Sequence, residues 1–94
     1  MNTKLRDILS KQFITTEAIT LAFSLCSTRS DIYTVINKIP SRFGKFEILN
    51  IDEDYTYFVI QNSVNLGGKE FLYITTHEFY KIGGYYGYRI KYNF

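Results

Sequence analysis

Up to the single proline at position 40, apolar residues recur at intervals of three and four, and beyond Gly44 they alternate or run together. That change of period divides the chain into a helical part and a strand part. Leu5, Ile8, Leu9 and Phe13 form the first helical set, with Asn2 or Thr3 available to cap it. In the second set Ile19, Ala22, Phe23 and Cys26 share one face while Ala18, Leu21 and Leu25 share another, which predicts a helix contacted on several sides. The third is the most regular: Ile32, Val35, Ile36 and Ile39 fall at i, i+3, i+4 and i+7, Ser30 can cap the start, and Pro40 closes the end. Its opposite face carries Ser30, Thr34, Asn37, Lys38 and Ser41.

After Gly44 the β-branched and aromatic content rises. Residues 46–51 and 55–61 read as a hairpin around the acidic turn Asp52-Glu53-Asp54, and Asn65-Leu66-Gly67-Gly68 leads into a third strand over 70–75. Thr75-x-x-Glu78 matches a capping box and Gly83 a helix stop, so residues 76–82 are open between a short helix and more strand, with aromatic content favouring strand. In the last strand Tyr86, Tyr88, Ile90, Tyr92 and Phe94 share one face, suited to packing on helices, and Tyr85, Gly87, Arg89, Lys91 and Asn93 share the other. The expected fold is α+β: three N-terminal helices followed by an antiparallel meander of about four strands. Residues 1–94 read as a single domain, with a helical half over 1–44 and a sheet half over 45–94.

A chain of 94 residues can bury enough surface to fold without a metal or a disulfide. No apolar stretch approaches the roughly twenty residues needed to span a bilayer, and no secretory signal is visible, so a cytoplasmic location away from membranes is expected. Charge refines this. Residues 1–45 hold seven Lys/Arg against three acids, a net +4, whereas residues 46–94 hold four bases against six acids, a net −2. The asymmetry directs a polyanionic partner to the helical half.

Catalytic and metal-binding chemistry have little to stand on. His77 is the only histidine and has no ligand-spaced partner, Cys26 is the only cysteine and reads as a small buried hydrophobe, and the triple acid reads as a solvated turn. The run Gly83-Gly84-Tyr85-Tyr86-Gly87 lacks the lysine and hydroxyl of a phosphate loop. No metal, cofactor or enzymatic activity is expected.

The order of helix, helix, tight connection, capped helix and hairpin resembles the winged helix-turn-helix family over residues 5–61. Ala22, Cys26, Ile32 and Val35 stand where that family places the small residue of its second helix, the small turn residue and the two apolar anchors of its recognition helix. The resemblance implies that the third helix enters a major groove of double-stranded DNA and presents Thr28, Arg29, Ser30, Tyr33, Thr34, Asn37 and Lys38. Asn37 suits an adenine edge, Arg29 a guanine or phosphate, and Lys38 with Arg42 the phosphates. The chain departs from the family at Ser27, where an apolar residue is usual, and at the acidic hairpin turn, which phosphates would repel.

The expected function is therefore a non-catalytic DNA-binding regulator, with room for a homodimer through the sheet. The alternative is a small inhibitor of the kind phages and plasmids encode, capturing a host protein or ribonucleoprotein complex through Tyr85, Arg89 and Lys91.

Overall fold

The computed structural model describes residues 1–13, 15–50, 52, 57–65 and 71–92, with the backbone alone for residues 50, 58, 64, 65 and 71–74. Three helices, α1 (Thr3–Leu9), α2 (Thr16–Ser24) and α3 (Arg29–Lys38), precede a 3₁₀ turn over Ser41–Phe43. Four strands follow: β1 (Lys45–Asn50), β2 (Tyr57–Asn65), β3 (Phe71–Ile82) and β4 (Tyr85–Tyr92). They form one antiparallel sheet in the order β1-β2-β3-β4. This is the α+β layout that the change of period predicts. No helix among the described residues is long and apolar enough to cross a membrane.

Each helix starts where a side chain can satisfy an amide that the helix leaves unpaired. Asn2 accepts from Leu5 N at 2.7 Å, Thr15 from Ala18 N at 3.1 Å, and Thr28 from Asp31 N at 3.1 Å. The third cap differs from the expected Ser30. Asp31 accounts for this, because its carboxylate accepts from the Ser27 amide at 3.1 Å while its own amide donates to Thr28, a reciprocal pair that fixes the start two residues earlier. Asn2 also donates to the Leu25 carbonyl at 2.8 Å, tying the start of α1 to the end of α2.

The helices cover one face of the sheet. Phe23 of α2 is fully buried, with its ring centroid 5.0 Å from His77, 5.7 Å from Phe79, 6.1 Å from Phe46 and 6.2 Å from Tyr88. Leu5, Leu9, Phe13, Ile19, Ala22, Cys26, Ile32 and Val35 complete the helical side of this core, against Ile60 and Phe79 from the sheet. Two expectations fail here. Leu21 is half exposed because α2 lies over the sheet with its far side to solvent, so its second apolar face is not contacted throughout. Ile36 and Ile39 are only partly buried, since α3 turns them to the margin of the core and leaves Ile32 and Val35 as its anchors.

Residues 76–82 are strand. β3 runs unbroken over twelve residues, with Thr76 to Ile82 paired to β4 on one side and Thr76 to Tyr80 paired to β2 on the other. The alternation in β4 is observed too: Tyr86, Tyr88 and Ile90 are half-buried, whereas Tyr92 at the end of the strand is largely exposed. Phe94 and Asn93, the residues 66–68 of the predicted turn, and Glu53 and Asp54 of the acidic run lie outside the described residues. Asp52 is half-buried and engaged.

Full burial of Ile32 and partial burial of Ile36 predict unequal losses on truncation. Ile32→Ala should lower stability by about 2–5 kcal/mol and Ile36→Ala by clearly less, because the second side chain already meets water. Denaturant unfolding of both variants measures this, and equal losses would contradict the assignment of α3's inner face.

Candidate functional site

The side chains singled out in the sequence fall on two surfaces. On α3, Ser30, Tyr33, Asn37 and Lys38 are exposed, while Arg29 and Thr34 are half-buried. Thr28 is exposed but its hydroxyl is committed to the cap, and the Thr34 hydroxyl donates to the Ser30 carbonyl at 3.0 Å. The Arg29 guanidinium stands 5.8 Å from the centre of the Tyr33 ring. Arg42 behaves differently from the others. Its Nη2 donates to the Phe13 carbonyl at 2.6 Å and its guanidinium lies 4.7 Å from the Phe43 ring centre, so it fastens the 3₁₀ turn to the loop after α1.

Burial raises the pKa of the Tyr86 phenol while the Arg29 charge acts to lower it, so the first part of β4 lies within charge-interaction range of the start of α3. The β3–β4 hairpin turns through Gly83 and Gly84, with Gly83 at φ 64°, a conformation that side chains other than glycine resist. Lys81, Ile82, Gly83, Gly84 and Tyr85 are all exposed. The meander brings the end of β1 to this same end of the sheet, two strand spacings from β3, about 10 Å.

The outer face of the sheet carries the second surface. Glu78 is almost fully buried there, shielded by the rings and cations laid over it. Tyr57 and Tyr80 donate to its Oε2 at 2.8 and 2.5 Å, Arg89 Nη2 lies 3.2 Å from the same oxygen, and Lys91 Nζ lies 3.0 Å from Oε1. The Tyr80 hydrogen bond, helped by those from Lys91, Tyr57 and Arg89, pulls the carboxyl down to about 2 against the opposing effect of burial. The Tyr57 and Tyr80 rings stack at 4.7 Å. Tyr85 is largely exposed on this face, whereas Arg89 and Lys91 are exposed but already paired with Glu78.

The helix-covered face holds a polar chain that no residue spacing predicts. Asn62 Nδ2 donates to the Phe43 carbonyl at 3.1 Å and the Lys45 carbonyl at 3.4 Å, which leaves its Oδ1 as the acceptor for the Thr75 hydroxyl at 3.4 Å. With its proton used in this way, Thr75 must accept from His77 Nε2 at 3.2 Å, and His77 Nδ1 must then accept from the Tyr88 hydroxyl at 2.8 Å. The order Tyr88, His77, Thr75, Asn62 therefore specifies a neutral imidazole protonated on Nε2. Burial agrees, lowering the His77 pKa to about 4. Cys26 is also buried, and burial followed by the nearby Asp31 pushes its thiol up to about 12, so it stays protonated at neutral pH.

Neither group of polar residues could be assembled from sequence spacing. Asn62, Thr75 and Tyr88 meet His77 only through the strand register, in which Asn62 faces Thr75 beside the irregularity between Asn62 and Ser63. Glu78 likewise meets Arg89 as its direct cross-strand neighbour. Among the described residues no three side chains able to hold a metal come together. Compared with protein-family models, curated proteins and solved structures, the chain matches none.

The depressed pKa of His77 sets a pH window. Unfolded, the imidazole takes a proton near its ordinary 6.5, and folded only near 4, so the unfolded state binds more protons between these values and stability falls as pH falls through them. Protonation on Nδ1 also opposes the proton that Tyr88 donates. Wild-type protein should lose up to about 3 kcal/mol between pH 7.5 and 4 from this group, with Glu78 adding to the loss below its ordinary 4.5. Urea unfolding at stepped pH checks it: His77→Gln should flatten the curve between pH 6.5 and 5, and an unchanged slope would remove the imidazole as the cause.

Proposed function

We propose that this chain is a non-catalytic DNA-binding module of winged-helix type, which reads duplex DNA with the exposed face of α3 and braces it with the β3–β4 hairpin. What supports the reading is the exposure of two elements, a helix presenting Ser30, Tyr33, Asn37 and Lys38 and a glycine hairpin presenting Lys81, with Tyr86 of that hairpin within charge range of Arg29 at the helix's start. A helix of ten residues is about 15 Å long, and a major groove about 12 Å wide admits it. Lys38 and Lys81 have no ion-pair partner among the described residues, so both charges face solvent.

This arrangement changes the part each residue plays. Asn37 and Ser30 are the candidates for base edges, and Lys38 and Lys81 for phosphates. Arg42 supports the scaffold, given its bond to Phe13. The bracing hairpin in this reading is β3–β4 rather than the acidic turn after β1.

A second reading rests on the outer sheet face. Ile82 and Tyr85 are 73% and 70% exposed there, beside Arg89 and Lys91. One carboxylate offsets part of the charge of both cations, and with two large apolar side chains exposed beside them that surface suits a protein partner.

Fluorescence anisotropy with random and selected duplexes, at several salt concentrations, separates the two. Lys38→Ala and Lys81→Ala should each weaken binding to every duplex and reduce the salt slope by about one. Asn37→Ala should cost roughly 1–3 kcal/mol on the selected sequence alone. Arg42→Ala should instead lower the melting temperature. If the wild-type protein binds no duplex at low salt, the DNA reading ends and the inhibitor reading, with Tyr85, Arg89 and Lys91 as its contacts, takes its place.

A further inference from the structure

A pocket of about 240 Å³ opens between the first turns of α2 and the helix-facing side of the sheet. Its walls are mainly rings and aliphatic groups: Ile19, Phe43, Phe46, His77, Ile90 and Tyr92. Asn62 and Thr75 complete the floor. The polar groups on that floor are spoken for, since Asn62, Thr75 and His77 use their donors and acceptors on one another, on Tyr88 and on two main-chain carbonyls. No buried side-chain nitrogen or oxygen among the described residues lacks a partner. The imidazole in the wall is neutral at physiological pH, so it offers an aromatic surface and no charge.

These properties restrict the ligand. A guest that takes hydrogen bonds from the floor would have to break the chain of bonds there, and leaving either partner buried and unpaired is costly, so polar contact is limited to Thr16 and Thr20 on the α2 side. A guest with a carboxylate would also approach Glu17, which lines a more open depression sharing Thr16, Thr20 and Tyr92 with this pocket. An apolar guest loses nothing and gains ring and methyl contacts. Size sets the upper end, because an apolar cavity of about 150 Å³ already accepts benzene in another protein. We infer that the pocket beneath α2 is a binding site for a small uncharged aromatic molecule of one or two rings, held by Ile19, Phe46, His77 and Ile90. The site is separate from the face of α3 and stands whether or not the chain binds DNA.

Toluene and indole are the probes, with indole-3-acetate as the anionic counterpart, followed by nuclear magnetic resonance of labelled wild-type protein. Both neutral probes should give saturable shifts at Ile19, Phe46, His77 and Ile90 with a dissociation constant on the order of 1 mM or tighter. Isotope-filtered contacts should run from the probe to the Ile19 and Ile90 methyl groups. Indole-3-acetate should bind at least about tenfold more weakly, a difference of roughly 1.4 kcal/mol. Ile90→Trp, which fills the pocket, should abolish the shifts while keeping a dispersed spectrum. Should that variant fail to fold, the wild-type methyl contacts decide the matter alone. Absence of saturation, contacts scattered over the surface, an anion that binds as well as indole, or a folded Ile90→Trp that binds normally would each overturn the inference.

Discussion

His77 lies where the core has to absorb polar groups, 3% exposed and 5.0 Å from the ring of Phe23. A charged imidazole cannot be held there, and a neutral one is tolerable only if both nitrogens are satisfied. Tyr88 and Thr75 do this, and Asn62 carries the chain onward to the carbonyls of Phe43 and Lys45. The bonds therefore cross from β4 through β3 and β2 to the entry of β1. They pin the strands in one register, at the place where the β2–β3 pairing shifts, and give the helices a defined surface to pack upon. Phe23 then closes that surface from above, with four aromatic neighbours in the sheet.

The next residue along β3 solves the opposite problem. Glu78 points to the other face, where no described helix covers it, and it keeps its charge by drawing two tyrosine hydroxyls and two cations over itself. Its neighbours His77 and Phe79 are buried by the helices, so the sheet has one face organised around a neutral ring and one around an anion. Arg89 and Lys91 are exposed and share one counter-charge, Glu78, whereas Lys38 and Lys81 have no ion-pair partner among the described residues.

Much of the fold was legible in the sequence because it depends on local period. The helical stripes ending at Pro40, the change after Gly44 and the alternation from Tyr85 to Tyr92 predict the observed element order. The failures come where a distant contact outweighs a local signal. Thr75 and Glu78 have the spacing of a helix cap, but cross-strand pairing on both sides holds them in a strand. Ser30 is a good capping residue that loses its place because Asp31 reaches back to Ser27. Leu21 looks like part of a second apolar face and meets solvent because the sheet lies on only one side of α2. For the candidate site, the exposed side of α3 could be read from periodicity, whereas the anchoring of Arg42 by Phe13 required the tertiary arrangement.

The functional account holds that one end of the molecule, formed by the solvent face of α3 and the Gly83-Gly84 hairpin, is the contact surface for duplex DNA. Chemical-shift mapping of the backbone amides during titration with a duplex of the preferred sequence tests this most directly. The account predicts shifts clustered on residues 28–38 and 81–86, with the amides of β1 and the Glu78 region little changed. Shifts centred on Glu78, Arg89 and Lys91, or no specific shifts at a salt concentration where binding is saturated, would contradict it.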